Sequence, residues 1–307
     1  MATADGGVPA SGSIRLAHFS DIHLTTRPLG WALHDLPTKR LTGWFHLRAL
    51  GRGGQFRLAH EVARALVHEF RERRPDRIVF AGDATALGFA SEAAHAARRL
   101  HVGDPGLPPG LAVPGNHDYY TRASVLSAAF ERDFAPWQSG ERVDEVPYPF
   151  AQRVGPLWLI GVNSCRANMR PWDASGAVGK AQRDRLRDLL RQLTPGPRVL
   201  VTHYPVCLAD GRPETRWHGL RDLESTVRLA ADGGVGLWLH GHRHRPYVVA
   251  RPPQAPFPVI CCGSASQMGR AGYGEYEIDG RRLTGRRRVY DSGTAAFRES
   301  ETFELNI

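Results

Sequence analysis

Five short stretches of this 307-residue chain carry side chains that can bind cations: Asp21-Ile22-His23, Gly82-Asp83, Gly115-Asn116-His117-Asp118, His203, and Gly241-His242-Arg243-His244. Carboxylates, neutral imidazoles and an amide carbonyl are the donors that hard and borderline divalent metals take. Each stretch follows an apolar run with the character of a buried strand, over 14–20, 78–81, 111–114, 198–202 and 235–239. Open α/β sheets place their chemistry at such exits. Taken alone each motif is weak, because a lone Gly-Asp is usually a turn and a His-x-His pair is usually structural. Five in series, each at a strand exit, describe one shared centre. Asp83, at the tip of the Ile78-Val79-Phe80-Ala81 run, is its natural middle, and the one-residue gap between Asp21 and His23 points both side chains the same way in extended chain.

The elements that must position these residues alternate along the chain. Helices are expected over 58–73, 91–100 with Ser91 as N-cap, 124–134, 182–193 and 223–231, and a further strand over 157–162. After the last motif the helices stop, and 247–251, 258–262, 274–278 and 283–290 read as a strand meander with a hairpin at Asp279-Gly280. The pattern predicts an α/β protein with one domain over 14–307, preceded by a disordered, Gly-rich lead-in over 1–13. Segment 27–56 breaks the alternation. It interleaves Trp31, Leu33, Leu41, Trp44 and Phe45 with Lys39, Arg40, Arg48 and Arg52, too apolar for a solvated loop.

Composition narrows the setting. Lys plus Arg total 40 against 31 Asp plus Glu, a net +9 that favours anionic partners. The four cysteines lack metal-site spacing and read as buried thiols in a reducing compartment, so the expected location is cytoplasmic, with peripheral contact at the inner membrane face through 27–56 as the further expectation. No signal-peptide pattern and no run of about 18 apolar residues occurs. His18 and His240 read as packed strand residues, His95 as surface, and His34, His46 and His218 as neighbours of a pocket. Oligomeric state is not legible. Nucleic acid is an unlikely partner, because no basic-aromatic stripe exists outside 27–56.

The ordered series Asp-x-His, Gly-Asp, Gly-Asn-His-Asp, His, Gly-His-x-His resembles the calcineurin-like metallophosphoesterase superfamily, over about residues 14–290. The resemblance implies a four-layer αββα sandwich of two mixed sheets flanked by helices. It implies that Asp21, His23 and His244 bind one metal, that Asn116, His203 and His242 bind another, and that Asp83 bridges them. His117 then faces the substrate and protonates the leaving oxygen, with Asp118 orienting its ring. Tyr204 stands where many relatives have a second His. Two dications about 3.5–4 Å apart repel by roughly 17–19 kcal/mol at an effective dielectric near 20, which explains a bridging carboxylate and hydroxide between them. Without a thiolate ligand, manganese, iron, cobalt or zinc fits better than copper.

The implied activity is cleavage of a phosphodiester or pyrophosphate by a metal-bridging hydroxide, as in a generic or cyclic-nucleotide-type phosphodiesterase. The stretch Pro37-Thr38-Lys39-Arg40-Leu41-Thr42-Gly43-Trp44 is similar to one in bacterial members acting on lipid-linked substrates, including UDP-2,3-diacylglucosamine pyrophosphatases, although that branch has Arg at the place of His117. This makes a lipid-nucleotide hydrolase the alternative, and a non-catalytic scaffold of the same fold the remote one. For 27–56 the readings are a membrane contact, a substrate lid, or a cap on the protein's own sheet beside the metals, the cap being preferred.

Overall fold

The computed structural model describes residues 12–36, 38–49 and 51–307. Residues 1–11 of the expected lead-in, Pro37 and the side chain of His34 lie outside the described residues. Two six-stranded mixed sheets form the frame. In the first, β1 (Ile14–Phe19) pairs in parallel with β2 (Arg77–Phe80), which pairs in parallel with β3 (Gly110–Ala112). In the second, β4 (Phe150–Val154) runs antiparallel to β5 (Leu157–Gly161), which is followed in parallel by β6 (Arg198–Val201) and β7 (Val235–His240).

Side-chain alternation divides the interior into three cores. Val79 of β2 and Val199 and Val201 of β6 point between the sheets with Leu16, Leu159 and Leu239, whereas Ile78 and Phe80 turn to the outer face of the first sheet. That outer face is covered by the helices Ala59–Arg73 and Ala90–Arg99, and Leu200 and Trp238 of the second sheet are covered by Lys180–Gln192 and Leu223–Asp232. The result is the expected four-layer order of helix, sheet, sheet, helix. Helix 59–73 buries Val62, Leu66 and Phe70 at helical spacing and stops at Arg74, in left-handed conformation before Pro75.

Several expectations are corrected. Ser91 is not the N-cap: its helix begins at Ala90, and Ser91 Oγ donates to the Leu29 carbonyl. Segment 124–134 is two short helices, Arg122–Leu126 and Ala129–Asp133, parted by Ala128 in left-handed conformation. His95 is half-buried against His60, ring centroids 5.1 Å apart. The last strands do not form one meander. Strands β8 (Pro246–Val249) and β9 (Val259–Cys262) complete the second sheet, with β9 parallel to β7. Only β10 (Gly272–Asp279), β11 (Arg282–Asp291) and the unforeseen β12 (Ala296–Asn306) form the meander, on the edge of the first. Periodicity identifies a strand but not its sheet, and β12 is mostly exposed and polar, so it lacks the apolar alternation that would reveal it.

Segment 27–56 is helical. A 3-10 turn at Leu33–Asp35 precedes α1 (Lys39–Ala49) and α2 (Arg52–Gln55). Trp44, Leu47 and Tyr120 pack against Leu87 and Phe89, and a Cβ at Gly43 would lie 2.3 Å from the Tyr120 hydroxyl, so glycine there lets the helix approach Tyr120 without displacing its side chain. The other side exposes Leu41 and Phe45, near the exposed Leu33 and Leu36 of the turn. The segment therefore caps the protein on one face and presents apolar groups outward on the other.

Candidate metal centre

The exits of β1, β2, β3, β6 and β7 meet at one end of the two packed sheets. Backbone N–H groups of Asp21, Ile22 and His23 donate to the carbonyls of Gly82 and Asp83, which aligns the first two loops. Two glycines permit the approach: a Cβ at Gly115 would sit 2.1 Å from Asp83 Oδ1, and one at Gly82 would meet the Gly115 backbone nitrogen at 2.4 Å. Asp21, His23, Asp83, His242 and His244 all have positive φ, between 49° and 69°. Among the described residues nine non-glycine positions are left-handed, and five of them are these.

Asp21, His23, Asp83 and His244 present ligand atoms within 4.8 Å of one another. His23 Nε2 lies 3.2 Å from His244 Nε2, and His244 Nε2 lies 3.1 Å from Asp21 Oδ1. Beside them Asn116 Oδ1 is 3.0 Å from His203 Nε2 and 2.9 Å from His242 Nδ1. Asp83 Oδ2 lies between the two groups, 3.7 Å from His23 Nε2 and 3.5 Å from His203 Nε2. All seven expected ligand residues thus converge.

Hydrogen bonds on the far side of each ring settle which nitrogen faces inward. His23 Nδ1 donates to the Thr85 carbonyl, His203 Nδ1 to Ala81, His244 Nδ1 to Gln267 Oε1 and His242 Nε2 to the His218 carbonyl. The remaining nitrogen of each ring carries its lone pair into the centre, the arrangement that metal-binding histidines adopt. Asp21 Oδ2 accepts from Ser20 Oγ and the His242 N–H, while Oδ1 is buried with no hydrogen-bond donor in good geometry. A buried carboxylate oxygen among inward lone pairs fits a cation. The donor set of carboxylates, imidazoles and one amide suits a pair of divalent ions.

Without a cation the electrostatics are opposed. Burial would raise the Asp21 carboxyl, but the imidazoles of His244, His203 and His23 hold it well below the usual carboxylate range. Burial pushes Asp83 well above that range, and the charges of Asp21 and Asp118 add to the shift. A bound dication would favour the ionised form of Asp83.

His117 stands beside His23, ring centroids 4.7 Å apart, and stacks on Tyr120. Its orientation departs from expectation. Asp118 does not reach the ring, because its two oxygens accept from the N–H groups of Asp83, Ala84, Thr85 and Gly115 and from Thr85 Oγ1. The Ala86 carbonyl, 2.7 Å from His117 Nδ1, holds the ring instead. Asp118 is a positioning residue for the Asp83 loop.

Sequence reasoning missed Gln267, Ala86 and Phe56, whose ring lies 4.6 Å from that of His23. Two of these act through packing or a backbone carbonyl, and Gln267 lies in a loop without a motif. His218 contributes its carbonyl, while its ring is directed to Thr215. His46 sits exposed on α1. His18 and His240 are fully buried, and burial depresses them to about 3 and about 4.

Fold and cluster together define an α/β protein with a candidate metal centre at its strand exits. The chain belongs to the calcineurin-like phosphoesterase family, whose model matches residues 14–246. That family implies a binuclear centre of divalent metals. Among solved structures, a dimetal phosphatase from Danio rerio is 14% identical with a TM-score of 0.63, covering 95% of this chain and 98% of that one. A purple acid phosphatase from yellow lupin seeds is 13% identical with a TM-score of 0.61, over 96% of this chain and 54% of the other. GAP50, described as the anchor in the inner membrane complex of Plasmodium, is 13% identical with a TM-score of 0.54, over 96% and 89%. At these identities the likeness is one of fold. A search among curated proteins gives no match.

Proposed function

We propose that this chain is a two-metal phosphohydrolase that cleaves a phosphodiester or pyrophosphate bond. Asp21, His23 and His244 would hold one metal and Asn116, His203 and His242 the other, with Asp83 as the shared ligand. The observation that carries this reading is the place of Asp83 Oδ2 between His23 Nε2 and His203 Nε2. When bound, the metal pair supplies a nucleophile near neutral pH and offsets charge on the phosphoryl group. His117, held at Nδ1 by Ala86, presents Nε2 and, when protonated, gives its proton to the leaving oxygen. Manganese, iron, cobalt and zinc are the metals of choice.

A generic or cyclic-nucleotide-type phosphodiesterase ranks first, because an acid group serves a poor leaving oxygen. The exposed Leu33, Leu41 and Phe45 of segment 27–56 favour a second reading, a lipid-nucleotide pyrophosphatase working at a membrane surface. A scaffold role is disfavoured, because no ligand position has lost its donor. Hydrolysis of bis(p-nitrophenyl) phosphate by protein loaded with manganese, iron or zinc tests the reaction. Asp83→Ala is expected to lower kcat/KM by roughly 10³-fold, equivalent to the several kcal/mol of charge stabilisation a metal gives. An unchanged rate would revive the scaffold. Turnover of UDP-2,3-diacylglucosamine separates the first two readings.

A further inference from the structure

A second polar feature borders the centre. The loop 166–173 after β5 and the turn 216–221 before the helix Leu223–Asp232 enclose an open cavity of about 580 Å³, whose lining includes four arginines, Arg166, Arg170, Arg216 and Arg221. One carboxylate opposes them. Asp173 lies 2.7 Å from Arg221 Nη2 and 3.8 Å from Arg166 Nη2, and it also accepts from Ser175, so its charge is already engaged. Arg170 and Arg216 are exposed, and among the described residues neither has a carboxylate within 4 Å. Their guanidinium groups lie over Trp172 and Trp217, at 5.9 and 5.4 Å from the ring centroids.

Both walls of this cavity are tied to the cluster. On one side His218, next to Trp217, gives its carbonyl to His242 Nε2 at 3.1 Å. On the other, Ala174, next to Asp173, accepts the Tyr204 hydroxyl, and the Tyr204 ring is 4.5 Å from that of His242. Lys39 of α1 is buried beside Tyr120. Solvated surface arginines normally diverge. Here two paired arginines fix the wall and two unpaired ones line the same concave space, which leaves an uncompensated positive field beside the turn whose His218 carbonyl supports His242.

We propose that this cavity is a second anion subsite, in which Arg170 and Arg216 bind the distal phosphoryl group of a substrate whose reacting phosphorus sits at the metal cluster. Within the phosphodiester-or-pyrophosphate reading, the subsite selects a nucleoside-diphosphate-type ester or anhydride. Guanidinium groups suit this task, because their planar donors pair with two phosphate oxygens at once. The inference rests on the two-metal reading for the position of the first phosphoryl group.

Calorimetric titration of the metal-loaded full chain with AMP and with non-hydrolysable α,β-methylene-ADP tests it, alongside turnover of bis(p-nitrophenyl) phosphate. Wild type is expected to bind α,β-methylene-ADP at least about 10-fold more tightly than AMP, the least that one charged hydrogen bond of the usual strength gives. In the double variant Arg170→Ala/Arg216→Ala that advantage falls to within twofold, while AMP affinity and diester turnover stay within twofold of wild type. Lysine at both positions restores part of the advantage. The proposal is overturned if wild type shows no preference, if the preference survives in the double variant, or if AMP binding falls equally. No diester turnover together with an arginine-dependent preference would instead sink the phosphodiesterase reading and keep the subsite.

Discussion

Asp21, His23, Asp83, His242 and His244 each hold a left-handed backbone that costs a side-chain-bearing residue roughly 1–2 kcal/mol. Five such positions total on the order of 5–10 kcal/mol, as much as the net stability of a typical domain, so surrounding bonds must impose them. Asp118 does part of this with four backbone N–H groups, and the glycines supply the space. Gly115→Ala is the sharp test. Its Cβ would meet the Asp83 backbone nitrogen at 2.2 Å as well as Oδ1, and backbone cannot give way as a flexible side chain can. Expected are a loss of about 1–3 kcal/mol in denaturant unfolding and at least a tenfold weaker metal affinity by titration. Gly54→Ala, with nothing within 4 Å of its Cβ, serves as the control and should change neither. His117→Ala is read on the reaction. With a poor leaving group it should lower kcat by roughly 10²–10⁴-fold, and the loss should shrink for p-nitrophenolate, which leaves without a proton.

At the scale of elements, α1 explains why Lys39 and Arg40 are adjacent. Lys39 turns toward the Tyr120 ring, 4.4 Å from its centroid, while Arg40 turns into the protein and binds Asp35, the carbonyls of Leu87 and Gly88, and Ser124. That loop is continuous with Ala86, whose carbonyl orients His117. Arg40→Met removes the clamp and takes the guanidinium from the buried Asp35 carboxylate. Loss of one partner from a buried pair costs roughly 3–5 kcal/mol, so the free energy of unfolding should fall by that amount and kcat should fall at temperatures where the variant is still folded. Glu92 caps the same loop by accepting from the Leu87 and Phe89 N–H groups, and burial raises its carboxyl from 4.5 to about 7. Because the folded state holds this proton more tightly than the unfolded chain, stability is greatest below about 4.5 and declines as pH rises through about 7. The contribution is about 3 kcal/mol. Glu92→Gln should flatten the stability-versus-pH curve between about pH 4.5 and 7, measured by urea unfolding. A slope unchanged by the substitution would place that proton elsewhere.

At the scale of the whole molecule, the metal-ligand motifs and most strands were legible because each pairs an apolar run with a polar exit, a local signal. The helical order of 27–56 was not, since Pro28, Pro37 and Gly43 break the periodicity, and its reason is tertiary: Gly43 lets α1 press on Tyr120, 77 residues away in sequence. The assignment of β8 and β9 to the second sheet was equally hidden, because sheet membership depends on long-range pairing. The seven candidate ligands come from both sheets, with Asp21, His23, Asp83 and Asn116 at exits of the first and His203, His242 and His244 at exits of the second. A metal pair held by all of them would join strand exits of both sheets and bind only the folded chain, so its affinity would add to stability. At a free metal concentration 100-fold above the dissociation constant that term is about 2.7 kcal/mol per ion. For a chain of this size each kcal/mol moves the melting temperature by roughly 2–4 °C. Chelation should therefore lower it by roughly 5–10 °C per ion removed, and amide exchange should quicken first at 20–24, 82–86 and 240–244, where the loops lose the cation that offsets their converging lone pairs. In Asp83→Asn, which keeps the shape and removes the shared charge, the same chelator should move the melting temperature much less. An equal shift in that variant would mean that the stabilising ion is held away from Asp83.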